Sequence, residues 1–241
     1  MHLKDELLFL MLPLEGPKKE YLMTTLNWIR EMIGTKEFRQ VQVSEPTDLR
    51  MILNNDVNLV YYKRKRDPQM EQYIMSLIRH STKGIDIVVN RRELEGAIAN
   101  QMNDGGPGNV GKIRMEEDII KLASSFFEIT GAPNLRLILK IVSDDACRKF
   151  HTDAYDLRLL CTYSGRGTEW IEDRFVNRKK LFHGENEDII KDNSKVRRME
   201  PFEVAILKGE VSSRPKGKGI VHRSPPIEQA GEKRLLLRID H

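Results

Sequence analysis

His151 and Asp153 stand two residues apart in the run Cys147-Arg148-Lys149-Phe150-His151-Thr152-Asp153. In extended chain, positions i and i+2 project to the same side, so an imidazole and a carboxylate can converge on one point. These are two of the three donors of a 2-His-1-carboxylate facial triad, the set that holds non-haem Fe(II) and leaves coordination positions open. His222, in Gly219-Ile220-Val221-His222-Arg223-Ser224-Pro225-Pro226, is the candidate for the third donor. A His-x-Asp pair alone is weak, because both residue types are common at polar turns. The same neighbourhood also allows a structural zinc site built from Cys147, His151, Asp153 and Cys161. Against zinc, there is no Cys-x-x-Cys knuckle, and Cys161 falls inside an apolar strand where a small buried hydrophobe is the ordinary role.

The C-terminal strand supplies a different kind of group. In Arg234-Leu235-Leu236-Leu237-Arg238-Ile239-Asp240, alternation places Arg234, Leu236, Arg238 and Asp240 on one face and the remaining aliphatic residues on the other. An arginine on so apolar a strand needs an anion, since an unpaired buried charge is very costly. A dicarboxylate ligand would meet that need through a bidentate pair. An internal salt bridge to Asp240 or Glu232 would meet it as well.

The elements that must position these residues change character along the chain. Apolar residues at helical spacing predict a helix over 18–33, stopped by Gly34, after a short apolar segment over 1–17. Val57–Tyr62 reads as a strand, and Asp67-Pro68 as N-cap and first turn of a helix burying Met70, Tyr73, Ile74, Leu77 and Ile78. A strand over 85–89, a helix over 92–102 and a Gly-rich loop over 103–108 follow. Glu116–Thr130 is the strongest helix, with Ile119, Ile120, Ala123, Phe126 and Phe127 on one face. Strands then dominate: 135–142, 157–163, 168–171, 203–208, 220–222 and 234–240. The highly charged segment 172–200 reads as an insertion with some helix near 188–190. Helices first and short strands afterwards imply an α+β protein whose C-terminal half is a sandwich or barrel.

Composition narrows the setting. The 241 residues contain 40 Lys and Arg against 36 Asp and Glu, a mild net charge of +4. Lys63-Arg64-Lys65-Arg66 is the densest basic run, and a solvated turn between strand and helix accounts for it better than a phosphate track. No membrane span is expected, because no stretch reaches the ~18 uninterrupted apolar residues required. The apolar run Leu7–Leu14 follows acidic residues, so a signal peptide is not expected either. Two cysteines suit a reducing compartment, and the expected location is cytoplasmic.

With these residues in view, His151-x-Asp153, His222 and Arg234 in this order resemble the Fe(II)- and 2-oxoglutarate-dependent oxygenases. More narrowly, several runs together are similar to a family known as a domain of unknown function. They are Phe150–Asp153, Leu159-Leu160-Cys161-Thr162-Tyr163, Gly165-x-Gly167-Thr168-Glu169-Trp170, His222-Arg223-Ser224-Pro225-Pro226 and Arg234–Leu237. The superfamily resemblance implies a double-stranded β-helix, or jelly roll, over 111–241, buttressed by a helical and mixed region over 1–110. It implies Fe(II) on His151, Asp153 and His222, with 2-oxoglutarate held by Arg234 and Arg238 in reserve. Tyr163 would lie beside that cofactor and Trp170 in the substrate pocket, although core packing serves equally for both. Oxidative decarboxylation to succinate and CO2 would then accompany hydroxylation or demethylation of a substrate, with a small molecule or protein side chain favoured over nucleic acid. A cupin-like metal enzyme without 2-oxoglutarate and a non-catalytic binding domain on a degenerate barrel are the competing readings.

Overall fold

The computed structural model describes residues 38–80, 83–102, 109–211 and 219–241. The expected helix at 18–33, the apolar segment before it and the Gly-rich loop at 103–108 lie outside these residues. In chain order the elements are β1 (Arg39–Val43), a 3-10 segment (Pro46–Leu53), β2 (Val57–Tyr62), α1 (Pro68–Arg79), β3 (Ile85–Asn90), α2 (Leu94–Gln101) and α3 (Val110–Thr130). After them come β4 (Asn134–Val142), β5 (Leu157–Ser164), β6 (Glu169–Ile171), the short α4 (Asn186–Ile189), β7 (Arg197–Arg198), β8 (Val204–Lys208), β9 (Val221–Arg223) and β10 (Arg234–Asp240).

Two sheets result. The larger has the order β1-β2-β8-β5-β10-β4-β3, antiparallel except for the β1–β2 pair, and the smaller has the order β7-β6-β9. Strand β5 is buried on both faces, the continuous apolar pattern expected of a strand covered on both sides. Its Leu157, Leu159, Cys161 and Tyr163 join Leu235, Leu237 and Ile239 of β10 in the core packed against α1, α2 and α3. The alternate positions Leu160 and Leu236 face the other way and pack with Trp170, Met199 and Ile220 on the side of the small sheet. Alternation therefore separates a helix-facing core from a site-facing one.

This corrects the expected double-stranded β-helix. The fold is α+β with two sheets, and neither closes into a barrel or a double-stranded β-helix among the described residues. A β-helix distributes successive strands between two facing sheets of similar size. Here β4, β5, β8 and β10 all remain in one sheet, which β1, β2 and β3 widen, and the second sheet has only strands of two or three residues. The helical layer on one face of the large sheet favours this arrangement, because it buries a surface that would otherwise be exposed.

Helix α3 begins six residues earlier than its apolar stripe suggests. The Asn109 side chain caps it, accepting from Gly111 N (2.8 Å) and Lys112 N (3.4 Å). Gly111 lies against α1, where an added Cβ would come within 2.2 Å of the Gln69 carbonyl oxygen. The basic run at 63–66 is also not simply solvated. Arg64 is half-buried, forms a bidentate pair with Asp118 and donates from Nε to the Phe202 carbonyl (2.7 Å). Lys63 and Arg66 each reach a carboxylate at 3.5 Å, so the run offers little free charge. Among the described residues no helix is long and apolar enough to cross a membrane.

The Gly111 contact gives a paired prediction. Gly111→Ala should lower stability by about 1 to 3 kcal/mol through overpacking. Gly96→Ala, at an exposed position of α2 with nothing within 4 Å of the new Cβ, should raise stability by about 0.5 to 1 kcal/mol. The midpoints of urea unfolding curves, compared at equal slope, would show both changes.

Candidate metal centre

The metal-ligand cluster begins as backbone geometry. His151 N donates to His222 O and His222 N donates to His151 O, both at 3.0 Å. The two residues thus form a reciprocal antiparallel pair, although His151 lies outside any named strand. Directly opposed residues in such a pair project to the same side, and the ring centroids are 4.7 Å apart. Extended pairing is realised only at His151. Thr152 and Asp153 are irregular, yet the Asp153 carboxylate turns to meet both rings.

Each histidine is oriented by a backbone carbonyl two residues before it. The His151 Nδ1 lies 2.8 Å from Lys149 O, and the His222 Nδ1 lies 3.1 Å from Ile220 O. With Nδ1 donating, a neutral ring presents the Nε2 lone pair to the site, the tautomer a metal requires. Nε2 of His222 lies 3.3 Å from Asp153 Oδ2, and Nε2 of His151 lies 3.8 Å from Asp153 Oδ1. One ligand atom from each residue lies within 4.8 Å of the other two. Two donors at right angles around a metal at ~2.1 Å would stand ~3 Å apart, so a small contraction would seat an ion.

The donor chemistry supports the same fit. Asp153 is buried, and its Oδ2 has no hydrogen bond. A buried carboxylate oxygen facing an imidazole lone pair is unfavourable unless a cation or proton lies between them. Burial alone would raise the Asp153 pKa, but with a proton on His222 Nε2, and with Arg158 and to a smaller extent His151 beside it, the carboxyl is held well below the usual carboxylate range; a metal ion would take that proton's place. Burial, reinforced by His222, lowers the His151 pKa and favours the neutral form that binds metal.

Sequence reasoning misses Arg158. Its Nη1 contacts Asp153 Oδ1 at 2.5 Å, and its Nε contacts Asp240 Oδ1 at 2.5 Å. It fixes one carboxylate oxygen of Asp153 and leaves Oδ2 facing His222. The legible signal is parity: Arg158 sits near the start of an apolar strand, on the same face as Leu160. Asn186, in the charged segment, is missed as well. It accepts from Phe150 N at 2.8 Å and donates to Arg148 O at 3.1 Å. It thereby clamps both sides of Lys149, whose carbonyl orients His151. The segment packs Val176, Leu181, Ile189 and Ile190 around Phe150.

The two candidate arginines share a cavity with His151, His222 and Arg158 but differ in pairing. Arg238 Nε lies 3.0 Å from Asp240 Oδ2. Arg234 is 2% exposed, its Nε is unsatisfied, and it has no ion pair among the described residues. Its Nη1 donates to Arg166 O at a long 3.4 Å. Burial pulls its pKa down to about 10, against smaller opposing influences from Cys147 and Asp144. Gly165 lets the β5–β6 turn pass here. It has φ +82, and a Cβ would come within 2.8 Å of the Arg234 Cβ.

Tyr163 and Trp170 are not brought to this cavity. Tyr163 faces the helices and donates to Asp118 Oδ2 at 2.7 Å, and burial beside that carboxylate pushes its pKa well above the ordinary value. Trp170 stands opposite His222 in the small sheet, but it packs into the site-side apolar cluster, with Arg197 over its ring. The zinc set is not assembled. Cys147 is exposed beside the cavity, whereas Cys161 is buried on the helix-facing side, where burial raises its thiol to about 11.

Fold and site together define an α+β protein with a His-Asp-His facial arrangement consistent with the pattern of the 2-oxoglutarate oxygenase superfamily. The chain belongs to the DUF1826 family, described as proteins of unknown function, whose family model matches residues 43–240. No curated protein matches the sequence. Among solved structures, the rice dioxygenase for auxin oxidation has a TM-score of 0.44 at 12% identity, covering 85% of this chain and 82% of that one. HygX from Streptomyces hygroscopicus, with iron bound, has a TM-score of 0.42 at 11% identity, covering 82% and 86%. The Kdo hydroxylase KdoO, a non-haem Fe(II) alpha-ketoglutarate dependent dioxygenase in its apo form, has a TM-score of 0.39 at 9% identity, covering 84% and 86%.

Loss of the Asn186 clamp should loosen His151 without removing a ligand. Asn186→Ala is expected to weaken Mn(II) binding roughly 10-fold or more, measured by calorimetric titration. Unchanged affinity would mean that the clamp supports only the fold.

Proposed function

We propose that this protein is an Fe(II)- and 2-oxoglutarate-dependent oxygenase, a hydroxylase or demethylase. The observation that carries the reading is Arg234, buried without an ion pair among the described residues in the same cavity as the two histidines. An uncompensated buried arginine is expensive to maintain, and its forked donors match one carboxylate of a diacid. A cupin-like metal enzyme would account for the three ligands but would leave Arg234 without a purpose. A non-catalytic domain would leave both Arg234 and Asp153 Oδ2 unexplained.

His151 Nε2, His222 Nε2 and Asp153 Oδ2 would hold the metal. Iron, with 2-oxoglutarate and dioxygen, supplies oxidative decarboxylation coupled to substrate oxidation. The chain's part is placement and shielding. Arg158 fixes the Asp153 rotamer, and the Lys149 and Ile220 carbonyls fix the rings. Arg234 anchors the distal carboxylate, and Val142, Leu160 and Leu236 give the wall apolar surface that excludes water. Arg238, already facing Asp240, is the weaker choice for the diacid. The substrate class in this reading is a small molecule or protein side chain rather than nucleic acid.

Anaerobic addition of Fe(II) and 2-oxoglutarate to the full chain should give a weak visible charge-transfer band near ~500 nm that needs both components. Asp153→Ala should abolish the band by removing a ligand. Arg234→Met should retain the metal but raise the 2-oxoglutarate requirement by about 10-fold or more, the value of a lost charge-assisted pair. Iron binding without any band would overturn the 2-oxoglutarate assignment.

A further inference from the structure

The cavity holds more positive charge than the proposed metal and diacid can use. Asp153 and Asp240 balance Arg158 and Arg238. Arg234 and Lys140 line the same cavity, and neither has an ion pair among the described residues. Fe(II) and a doubly ionised 2-oxo diacid cancel each other's formal charge, so this excess, offset only in part by Asp144 near Arg234, persists when both are bound. Across the cavity, Arg223 is engaged by Glu169 at 2.8 Å and lies over the Phe150 ring.

Sheet register locates the surplus. Lys140 on β4 stands opposite Leu236, while Arg234 and Arg238 stand opposite Val142 and Ile138. Lys140 is therefore the diagonal neighbour of both arginines, at backbone separations of about 7 to 8 Å, within reach of long side chains. Lys140 is exposed and Arg238 partly so, whereas Arg234 is buried. This leaves one enclosed cation and, beside it, an open pair whose Arg238 Nε already faces Asp240.

We propose that Lys140 and Arg238 form a second anion subsite, which seats a carboxylate or phosphate of a small-molecule substrate while Arg234 serves the 2-oxo acid. Which anion is cosubstrate and which is substrate rests on the oxygenase reading. The existence of two subsites rests on the register and pairing alone. The anion must be compact, because carboxylates lie to either side of Lys140, Asp86 on the neighbouring β3 and Asp144 just past the end of β4. Arg136, toward one end of β4, is chelated by Asp86 at 2.9 and 2.8 Å, and Asp144 follows the other end. A nucleic-acid backbone requires a continuous basic stripe, and here the positive field is confined to one spot.

The test is calorimetric titration of the full chain with inorganic phosphate at low ionic strength. It is run on the metal-free protein and again with Mn(II) and saturating 2-oxoglutarate. One saturable equivalent is expected in both conditions. Lys140→Met should weaken it by about 10-fold, the worth of one charge-assisted contact, and Lys140→Glu should abolish it. Arg234→Met should leave phosphate binding intact while impairing 2-oxoglutarate binding. Replacing phosphate by acetate or glycerol phosphate ranks carboxylate against phosphate as the preferred group. Phosphate displaced by 2-oxoglutarate and lost in Arg234→Met would reveal a single shared anion site and overturn the proposal. Absence of saturable binding, or full binding by Lys140→Glu, would overturn it too. Failure of the iron and 2-oxoglutarate absorption band would instead sink the oxygenase assignment, leaving the phosphate result to stand or fall separately.

Discussion

The metal-ligand cluster depends on the reciprocal backbone pairing of His151 with His222. Two N–H···O bonds at 3.0 Å hold an irregular segment between β4 and β5 against a three-residue strand of the small sheet. Without that pairing the imidazoles would belong to distant parts of the chain and share no direction. With it, each ring points its Nε2 at Asp153, while the carbonyl two residues earlier holds its Nδ1. The surrounding structure protects this pairing. Phe150 is packed into the apolar cluster of the charged segment, and Asn186 ties down the peptides on either side of Lys149.

A second constraint is the chain of charges running from buried Asp153 through Arg158 and Asp240 to the partly exposed Arg238. Burying ions is costly unless each meets its partner in good geometry. Strands β5 and β10 achieve this by register, because Asp240 stands directly opposite Arg158. The arrangement leaves Asp153 Oδ2 facing the histidines and Arg234 outside the network. The site thus carries a cation and a carboxylate oxygen that the described residues leave unmatched. The same pattern distinguishes the two arginines on β10, which the sequence presents as equivalents.

The open architecture decides what can approach this site. A closed β-helix would surround the ligands with its own strands. Here the apolar cluster on the side of the small sheet draws its large-sheet residues from β2, β4, β5, β8 and β10, and none from β1 or β3. Exposed Lys140, on β4, lines the cavity that also contains the histidines. The opposite face is sealed by α1, α2 and α3, and the Arg64–Asp118–Tyr163 network is buried there. Tyr163 therefore belongs to the helical layer, despite its place in a strand that also carries site residues.

Local chemistry made much of this molecule readable in advance. Most strand positions from β4 onward, the existence of helices α1 and α3, and the opposed faces of β10 follow from apolar period and from punctuation such as the Asp67 cap and the Gly131 stop. The types and order of His151, Asp153, His222 and Arg234 pointed to metal and diacid chemistry. Strand parity placed Arg234 and Arg238 on one face. Other features required the tertiary structure, because they depend on partners far apart in sequence. Which sheet a strand joins is decided by what covers its two faces, and this is why the expected β-helix gave way to two open sheets. Whether an arginine is neutralised depends on cross-strand register, and Arg238 and Arg158 found Asp240 while Arg234 found no ion-pair partner among the described residues. The contribution of Asn186 was invisible for the same reason. Its two hydrogen bonds reach back to residues 148 and 150, and no local pattern in a charged segment marks such a contact.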